Sequence, residues 1–337
     1  MKTQIRYFAG AALLGLSQWA LALNVPGPVV DGAWLAQNRA EVTVLDVRSN
    51  PKTFTATAEF ETDKKTGKKF LVELGGHIDG AVLVDNKKVR VDRVINGLAL
   101  KTMIPERADF EKLVRSWGVK ADRPIVIVSA GMEPLDFNDA ARLYWQFKVY
   151  GEDNVAVLNG GTAGWIAAGR EVSTAAVKAA EGNWAAKADR TAQLMASSED
   201  MVKAQADKSA QLVDARDDAH YLGLSRSSST SAAGHVAGAK NVYTGLMSTN
   251  GGEAARLLAA DTYRDVFKLS GLDPQAASIA YCNTGHQASG TWFVLSEILG
   301  NKNVKLYDGS MHQWTLEKRP TVAVSLGATA VAAAPAK

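Results

Sequence analysis

The feature that most constrains this chain is that its order of motifs occurs twice. Asp46-Val47-Arg48 is answered by Asp214-Ala215-Arg216, 168 residues later. Gly76-His77-Ile78-Asp79-Gly80-Ala81 is answered by Gly234-His235-Val236-Ala237-Gly238-Ala239, 158 residues later. Phe110, Leu113, Val114 and Gly118 find Tyr263, Val266, Phe267 and Gly271 at an offset of 153, and Trp165 finds Trp314 at 149. The order is kept while the offset shrinks, as insertions in the first copy would produce. A chain of 337 residues has room for two such domains.

Within each copy strands alternate with helices. Residues 42–45 and 211–213 are short apolar runs ending in Asp-x-Arg, as strands reaching a functional edge would. Asp109 and Thr262 are expected to cap helices bearing the i, i+3, i+4 apolar stripes just named. Gly118 and Gly271 suit the left-handed position that ends them. Further strands are predicted at 125–128 and 278–281, each followed by a loop and a helix, and at 155–158 and 304–306. This alternation predicts an α/β fold in two copies, each a largely parallel sheet covered on both faces by helices.

Several segments fall outside the repeat. Residues 54–74 alternate in polarity around Lys65-Thr66-Gly67 and read as a hairpin inserted in the first copy. The cluster of Lys64, Lys65, Lys68 and Lys69 is expected to be its solvated tip. Residues 173–196, rich in Ala and charge, are expected to connect a first domain at 24–170 to a second at 197–325. Ser197 to Asp200 has the pattern of a capping box that opens the second domain. Residues 326–337 read as a disordered tail.

Residues 1–22 have the three parts of a secretory leader. Lys2 and Arg6 precede a charge-free apolar run, and Ala20-Leu21-Ala22 offers a cleavage site. The run is shorter than the ~20 residues that span a bilayer, so no membrane association is expected once the leader is cleaved. The expected destination is the periplasm. Without Lys2 and Arg6, the 38 basic residues fall to 36 against 35 acidic ones. That balance offers no electrostatic footprint for nucleic acid.

An exported chain usually carries cysteines in pairs, yet this one has a single cysteine, Cys282. A lone thiol outside the cytoplasm is either buried or useful. Here the strand Ser278-Ile279-Ala280-Tyr281 runs straight into Cys282-Asn283-Thr284-Gly285-His286-Gln287, with a helix expected from about Ala288. The carboxyl end of a parallel strand, facing a helix N-terminus, is where open α/β sheets place ligands. Backbone N–H groups in such a loop favour an anion. A free thiol of pKa ~8.5 is only about 3% thiolate at pH 7, and a helix N-terminus raises that share.

On these residues the chain resembles the rhodanese family, specifically its tandem-domain sulfurtransferases. The resemblance covers roughly residues 25–320. It rests on Leu212-Val213-Asp214-Ala215-Arg216, Tyr221-Leu222-Gly223, Gly234 to Ala239, Tyr281 to Ser289, and Asp308-Gly309-Ser310 with Trp314. It implies two rhodanese-like domains, of which the second is catalytic and the first inactive, and Ser129 stands where Cys282 would. It implies double displacement through a Cys282 persulfide, with a small-molecule sulfur donor and acceptor and no metal or organic cofactor. The amides of Asn283, Thr284, Gly285, His286, Gln287 and Ala288 would cradle the persulfide. The first loop, residues 129–139, carries Glu133, Asp136 and Asp139 and is expected to be a poor cradle.

Asp214, Arg216 and His220 are candidates for the substrate site, although Asp214 and Arg216 recur in the inactive copy and read more simply as a structural ion pair. His235 recurs as His77 and reads as structural, and His312 as packing. His286 has no counterpart and reads either as a partner of the thiolate or donor, or as a solvent-facing rim residue.

The sequence departs from thiosulfate-using members at two places. They carry a basic residue two positions after the cysteine and an Arg before Tyr-Leu-Gly; here these are Thr284 and His220. Protonated His286 and His220 are expected to restore some charge. Thr284-Gly285 resembles the loop of mercaptopyruvate-using members. Three rival classes draw on the same residues. A cysteine phosphatase needs an Arg where Ala288 stands. A zinc site built on Cys282 and His286 lacks further ligands. A carrier loaded by a partner protein remains compatible with everything above.

Overall fold

The computed structural model describes residues 23–250 and 252–325; the leader and the tail fall outside the described residues. Each copy folds around its own parallel sheet. The first has the order Val29–Val30, Val155–Leu158, Ile125–Val128, Thr43–Arg48, Val82–Asp85. The second has the order Lys240–Asn241, Gln211–Asp214, Ser278–Tyr281, Val304–Leu306. Where the first sheet has its outer strand Val29–Val30, the second has only a parallel bridge from Met195 to Leu306. The central strands Ile125–Val128 and Ser278–Tyr281 are buried along their whole length, as strands covered on both faces must be.

The helices Arg107–Ser116 and Ala260–Leu269 bury Phe110 and Val114 in one copy and Tyr263 and Phe267 in the other. Gly118 and Gly271 follow them in the left-handed region, at φ 77° and 75°. Their beginnings differ from expectation. The N-cap positions are Glu106 and Ala259, so Asp109 and Thr262 lie inside the first turn and cap nothing. Asp109 there complements the helix dipole instead. The capping box at Ser197 is present: Ser197 Oγ accepts from Asp200 N, and Asp200 Oδ2 accepts from Ser197 N.

The inserted hairpin pairs Glu59–Thr62 with Lys69–Glu73. Its tip is not wholly free, because Lys68 forms an ion pair with Glu253 of the second copy. A second hairpin, Val91–Ile95 with Leu98–Met103, has no counterpart in the sequence reading. It reaches the second copy, where Lys101 N donates to His312 Nε2 at 3.1 Å, and just beyond it Ile104 N donates to Asp308 Oδ2 at 2.8 Å. The connecting residues 173–196 are bound down rather than loose. Ser173 bridges to His77, and the buried Trp184 donates to Glu152 Oε2 at 2.9 Å.

The two copies meet through equivalent helices, Phe137–Val149 and His286–Phe293. Phe293 lies edge-on to Phe137 and Tyr144, with centroids 5.3 and 4.8 Å apart. One continuous apolar cluster includes Leu143 and Trp145 of the first copy and Trp292 and Leu295 of the second. The helices approach closely at Gly290, where a Cβ would stand 2.2 Å from Asn138 Oδ1. That oxygen also accepts from Thr244 Oγ1, and Asn138 is buried. Gly290→Ala is therefore expected to force the helices apart and cost about 1–3 kcal/mol. Urea unfolding checks this, and an unchanged midpoint would contradict the packing described.

Candidate active site at the domain seam

Cys282 follows the last residue of the Ser278–Tyr281 strand and is 2% exposed. Gly285, at φ 74°, turns the chain into the helix that opens at His286, two residues before the expected start. A Cβ at Gly285 would lie 2.5 Å from Asp308 O and 2.6 Å from Asp308 Oδ1, so only glycine fits both the turn and the space.

The loop is held by the segment that follows the neighbouring strand. Met311 N donates to Cys282 O at 3.0 Å and His312 N to Asn283 O at 2.9 Å. Ser310 Oγ accepts from both Cys282 N and Gly285 N at 3.0 Å and donates to Tyr307 O at 2.8 Å. Ser310 itself has φ 50°, an unfavourable conformation for a residue with a side chain. Its position corrects the expected cradle, because the Gly285 N–H is spent on Ser310 rather than offered to a ligand. The first-turn amides of His286, Gln287 and Ala288 remain the open donors of the helix end.

Asp214 and Arg216 form a buried ion pair, with Nη2 2.6 Å from Oδ2. Arg216 also donates to Gly234 O and, at 3.4 Å, to Asn283 Oδ1. Burial disfavours its charge, but the bonds to Asp214 outweigh burial and hold its pKa above the usual value. In the first copy Arg48 binds Asp46 and Gly76 O in the same way. The pair thus fastens the Gly-His segment in both copies, and in the second it steadies Asn283. His235 stacks on Tyr221 with centroids 3.9 Å apart and bonds its carbonyl; His77 stacks on Phe54. His220 bonds back to Asp217, its own helix cap, with Nδ1 2.7 Å from Oδ2. His312 joins the copies, through Lys101 N on one ring nitrogen and Ser229 O on the other.

The first copy supplies the opposite wall. Asp139 and Arg142 share a face of the Phe137–Val149 helix. Arg142 is fully buried, and its Nη1 donates to Asp308 Oδ1 at 2.6 Å and to Gly285 O at 3.2 Å. Asp139 accepts from Ser49 Oγ and Asn86 Nδ2 at 2.8 Å. Those bonds hold it within the first copy, while its Oδ1 also faces His286 of the second copy's loop, so it does not line a loop beside Ser129 as expected. Asp136 stays at the Ser129 end of the helix, where it accepts from Met132 N and Glu133 N; burial raises its pKa, and those two bonds do not cancel the effect.

His286 Nε2 lies 2.9 Å from Asp139 Oδ1, too far off axis to satisfy the ring nitrogen. The ring thus faces the first copy rather than solvent. Burial lowers its pKa below 6.5, and repulsion from Arg90 and Arg142 adds to this against the pull of Asp139. This shift opposes the expected positive charge on His286 near neutral pH.

Arg90, Arg142, Ser310 and Asp308 complete the site, and none was assigned a part in it from sequence. Their separations from Cys282 run up to 192 positions, and their only signal is that Asp308 and Ser310 sit in a motif after the last strand. Among the described residues no group of three or more His, Cys, Asp or Glu is gathered as a metal centre would need.

The equivalent loop of the first copy is filled. The Ser248–Asn250 and Ala255–Leu257 hairpin of the second copy lies over it, with Ala255 N donating to Gly131 O at 2.8 Å and Leu257 N to Asn159 Oδ1 at 3.0 Å. The cavity left beside Ser129 is only about 10 Å³.

The family model for the rhodanese-like domain matches residues 31–168 and again residues 197–317. The chain belongs to the rhodanese family. Among similar proteins is a "Putative thiosulfate sulfurtransferase" of Saccharopolyspora erythraea, 33% identical over 247 residues, covering 72% of this chain and 81% of the relative. The sulfur carrier protein TtuD of Thermus thermophilus is 29% identical over 251 residues, covering 71% and 82%. Among solved structures, the 3-mercaptopyruvate sulfotransferase SseA of Escherichia coli has a TM-score of 0.66 at 25% identity, covering 84% of this chain and 98% of SseA. Both rhodanese copies are mixed α/β units with a parallel sheet flanked by helices.

Two outcomes test this arrangement. Ser129→Cys should yield a thiol that remains unalkylated by iodoacetamide in the native state and takes up no sulfur, as read by intact mass. Loading at that position would show the socket to be open. The second concerns pH. Folded His286 resists protonation, whereas the unfolded chain binds that proton below about pH 6.5. Stability should therefore fall as pH drops below about 6.5, and His286→Asn should flatten that slope in pH-dependent urea melts.

Proposed function

We propose that the protein is an exported sulfurtransferase that moves sulfane sulfur from a small anionic donor such as thiosulfate to a thiophilic acceptor. The observation that carries this reading is the placement of the chain's one cysteine, Cys282, in a pinned loop between a parallel strand and a helix N-terminus. The thiolate sulfur attacks the outer sulfur of thiosulfate, a new S–S bond forms, and the old one breaks to release sulfite. A second nucleophile, cyanide or a thiol, then removes the outer sulfur and regenerates the thiolate. The amides of His286, Gln287 and Ala288 stabilise the persulfide anion as preorganised dipoles. Arg216 and Ser310 act through the loop, as positioning residues.

Two further readings have specific support. Thr284-Gly285 and the likeness to SseA favour 3-mercaptopyruvate as donor, in which case a C–S bond breaks and pyruvate leaves. The relative named as a sulfur carrier favours loading by a partner protein. The leader pattern of residues 1–22 supports export to the periplasm.

Incubation with each donor followed by intact-mass measurement tests the central claim. The wild type should gain about 32 mass units per sulfur, and Cys282→Ser should gain none while unfolding at the wild-type midpoint. Sulfur transfer by the mutant would refute the claim. Fast steady-state turnover with free donor would decide against the carrier reading.

A further inference from the structure

Two guanidinium groups of the first copy converge on the Cys282 loop with donors to spare. Arg142 is fully buried, yet its Nε and Nη2 have no hydrogen-bond partner. Its Nη1 is fixed against Gly285 O, while the Nε–Nη2 edge lies on the other side of the guanidinium, enclosed by protein. Arg90 is brought to the same place by contacts of the segment that precedes it. Asn86 donates to Asp139, and Val89 O accepts from Gln146 Nε2 at 2.8 Å, one turn beyond Arg142 on the same helix. The segment ending at Arg90 thus runs along the helix face that meets the catalytic loop, and Arg90 interacts electrostatically with Cys282, Arg142 and Asp308.

The commitments of these cations differ. Arg142 and Arg216 each have a carboxylate partner, Asp308 and Asp214. Arg90 has no ion pair among the described residues, and its Nε is buried without a partner. Arg90 is partly exposed, but a buried N–H left unpartnered is costly, and oxygen anions are the ligands that match a planar guanidinium fork. Burial presses the pKa of His286 down and His220 is turned to Asp217, so neither is placed to replace the cations missing at Thr284 and His220.

We propose that Arg90 forms the subsite that binds the anionic oxygens of the sulfur donor, with the buried Arg142 adding to the positive field behind it. The recognition element of the second copy's reaction is then supplied by the first copy. The ligand class is a small sulfur donor ending in sulfonate or carboxylate oxygens, and its identity as a sulfur donor rests on the sulfur-transfer reading. Asp139 narrows the subsite on the other side, through its contacts with Asn86 and His286. Burial and the neighbouring Arg142 both press the pKa of Arg90 down, and an incoming anion relieves that repulsion.

The test compares Cys282 alkylation by iodoacetate, an anion, and by iodoacetamide, its neutral analogue, in the full chain. The ratio of the two rate constants cancels the thiolate fraction and reads only the field that greets an anion. Arg90→Gln should lower this ratio about tenfold, and Arg90→Lys should retain most of it. KM for the donor should rise by a similar factor in Arg90→Gln, with kcat changing less. Thiosulfate and 3-mercaptopyruvate are run side by side, and the donor whose KM responds more is the one whose oxygens sit there. An unchanged alkylation ratio in Arg90→Gln would overturn the proposal. Absence of any persulfide on the wild type, with the ratio still dependent on Arg90, would instead remove the sulfur-transfer reading and leave the anion subsite standing.

Discussion

The ion pair between Arg142 and Asp308 joins one copy's helix to the other copy's last loop, and both side chains are buried. The same guanidinium nitrogen holds Gly285 O, and the other oxygen of Asp308 holds Ile104 N. One contact therefore fixes the active loop, the wall behind it and the hairpin arm that crosses the seam. Removing either partner of such a pair strands a charge in the interior, at about 3–5 kcal/mol. That magnitude exceeds what any single hydrogen bond around Cys282 contributes, so the loop's geometry is inherited from the seam. Ser310 then refines it, with one hydroxyl serving two amides and a carbonyl.

The Cys282 and Ser129 copies differ less in their strands than in what lies over their loops. Both place a small residue, Cys282 or Ser129, after a buried central strand, and both use an Asp-x-Arg pair to hold a Gly-His segment. Over Cys282 the first copy presents Asp139, Arg142 and Arg90. Over Ser129 the second copy packs Ser248, Ala255 and Leu257, with the Arg256 guanidinium against Gly160. The first arrangement offers charge to a ligand, and the second leaves no room for one.

Much of this was legible in the sequence, because periodicity and repetition are local signals. The strands at 125–128, 155–158, 278–281 and 304–306, the left-handed Gly118 and Gly271, and the position of Cys282 all follow from short windows. The failures are of two physical kinds. Asp109 and Thr262 look like caps by composition, but the helices begin two or three residues earlier where the apolar stripe has not started. Asp139 was assigned to the wrong loop and Arg90 to none, since a helix carries its residues to whichever surface it packs against. The hairpin at Val91–Ile95 and Leu98–Met103 was missed because its strands carry Asp, Arg and Lys, and its place is set by Asp308 and His312 rather than by a core of its own.

The reciprocal covering of the two loops has a consequence for how the molecule comes apart. Each copy lacks part of its own exterior and borrows it from the other, with an apolar cluster running unbroken between them. Opening the seam would expose Phe137, Tyr144 and Phe293 together with a buried carboxylate and guanidinium. Neither half can be loosened without undoing the other, so the pair melts as one cooperative unit although it was built by doubling a single domain. Duplication here made a larger indivisible fold rather than two beads on a string.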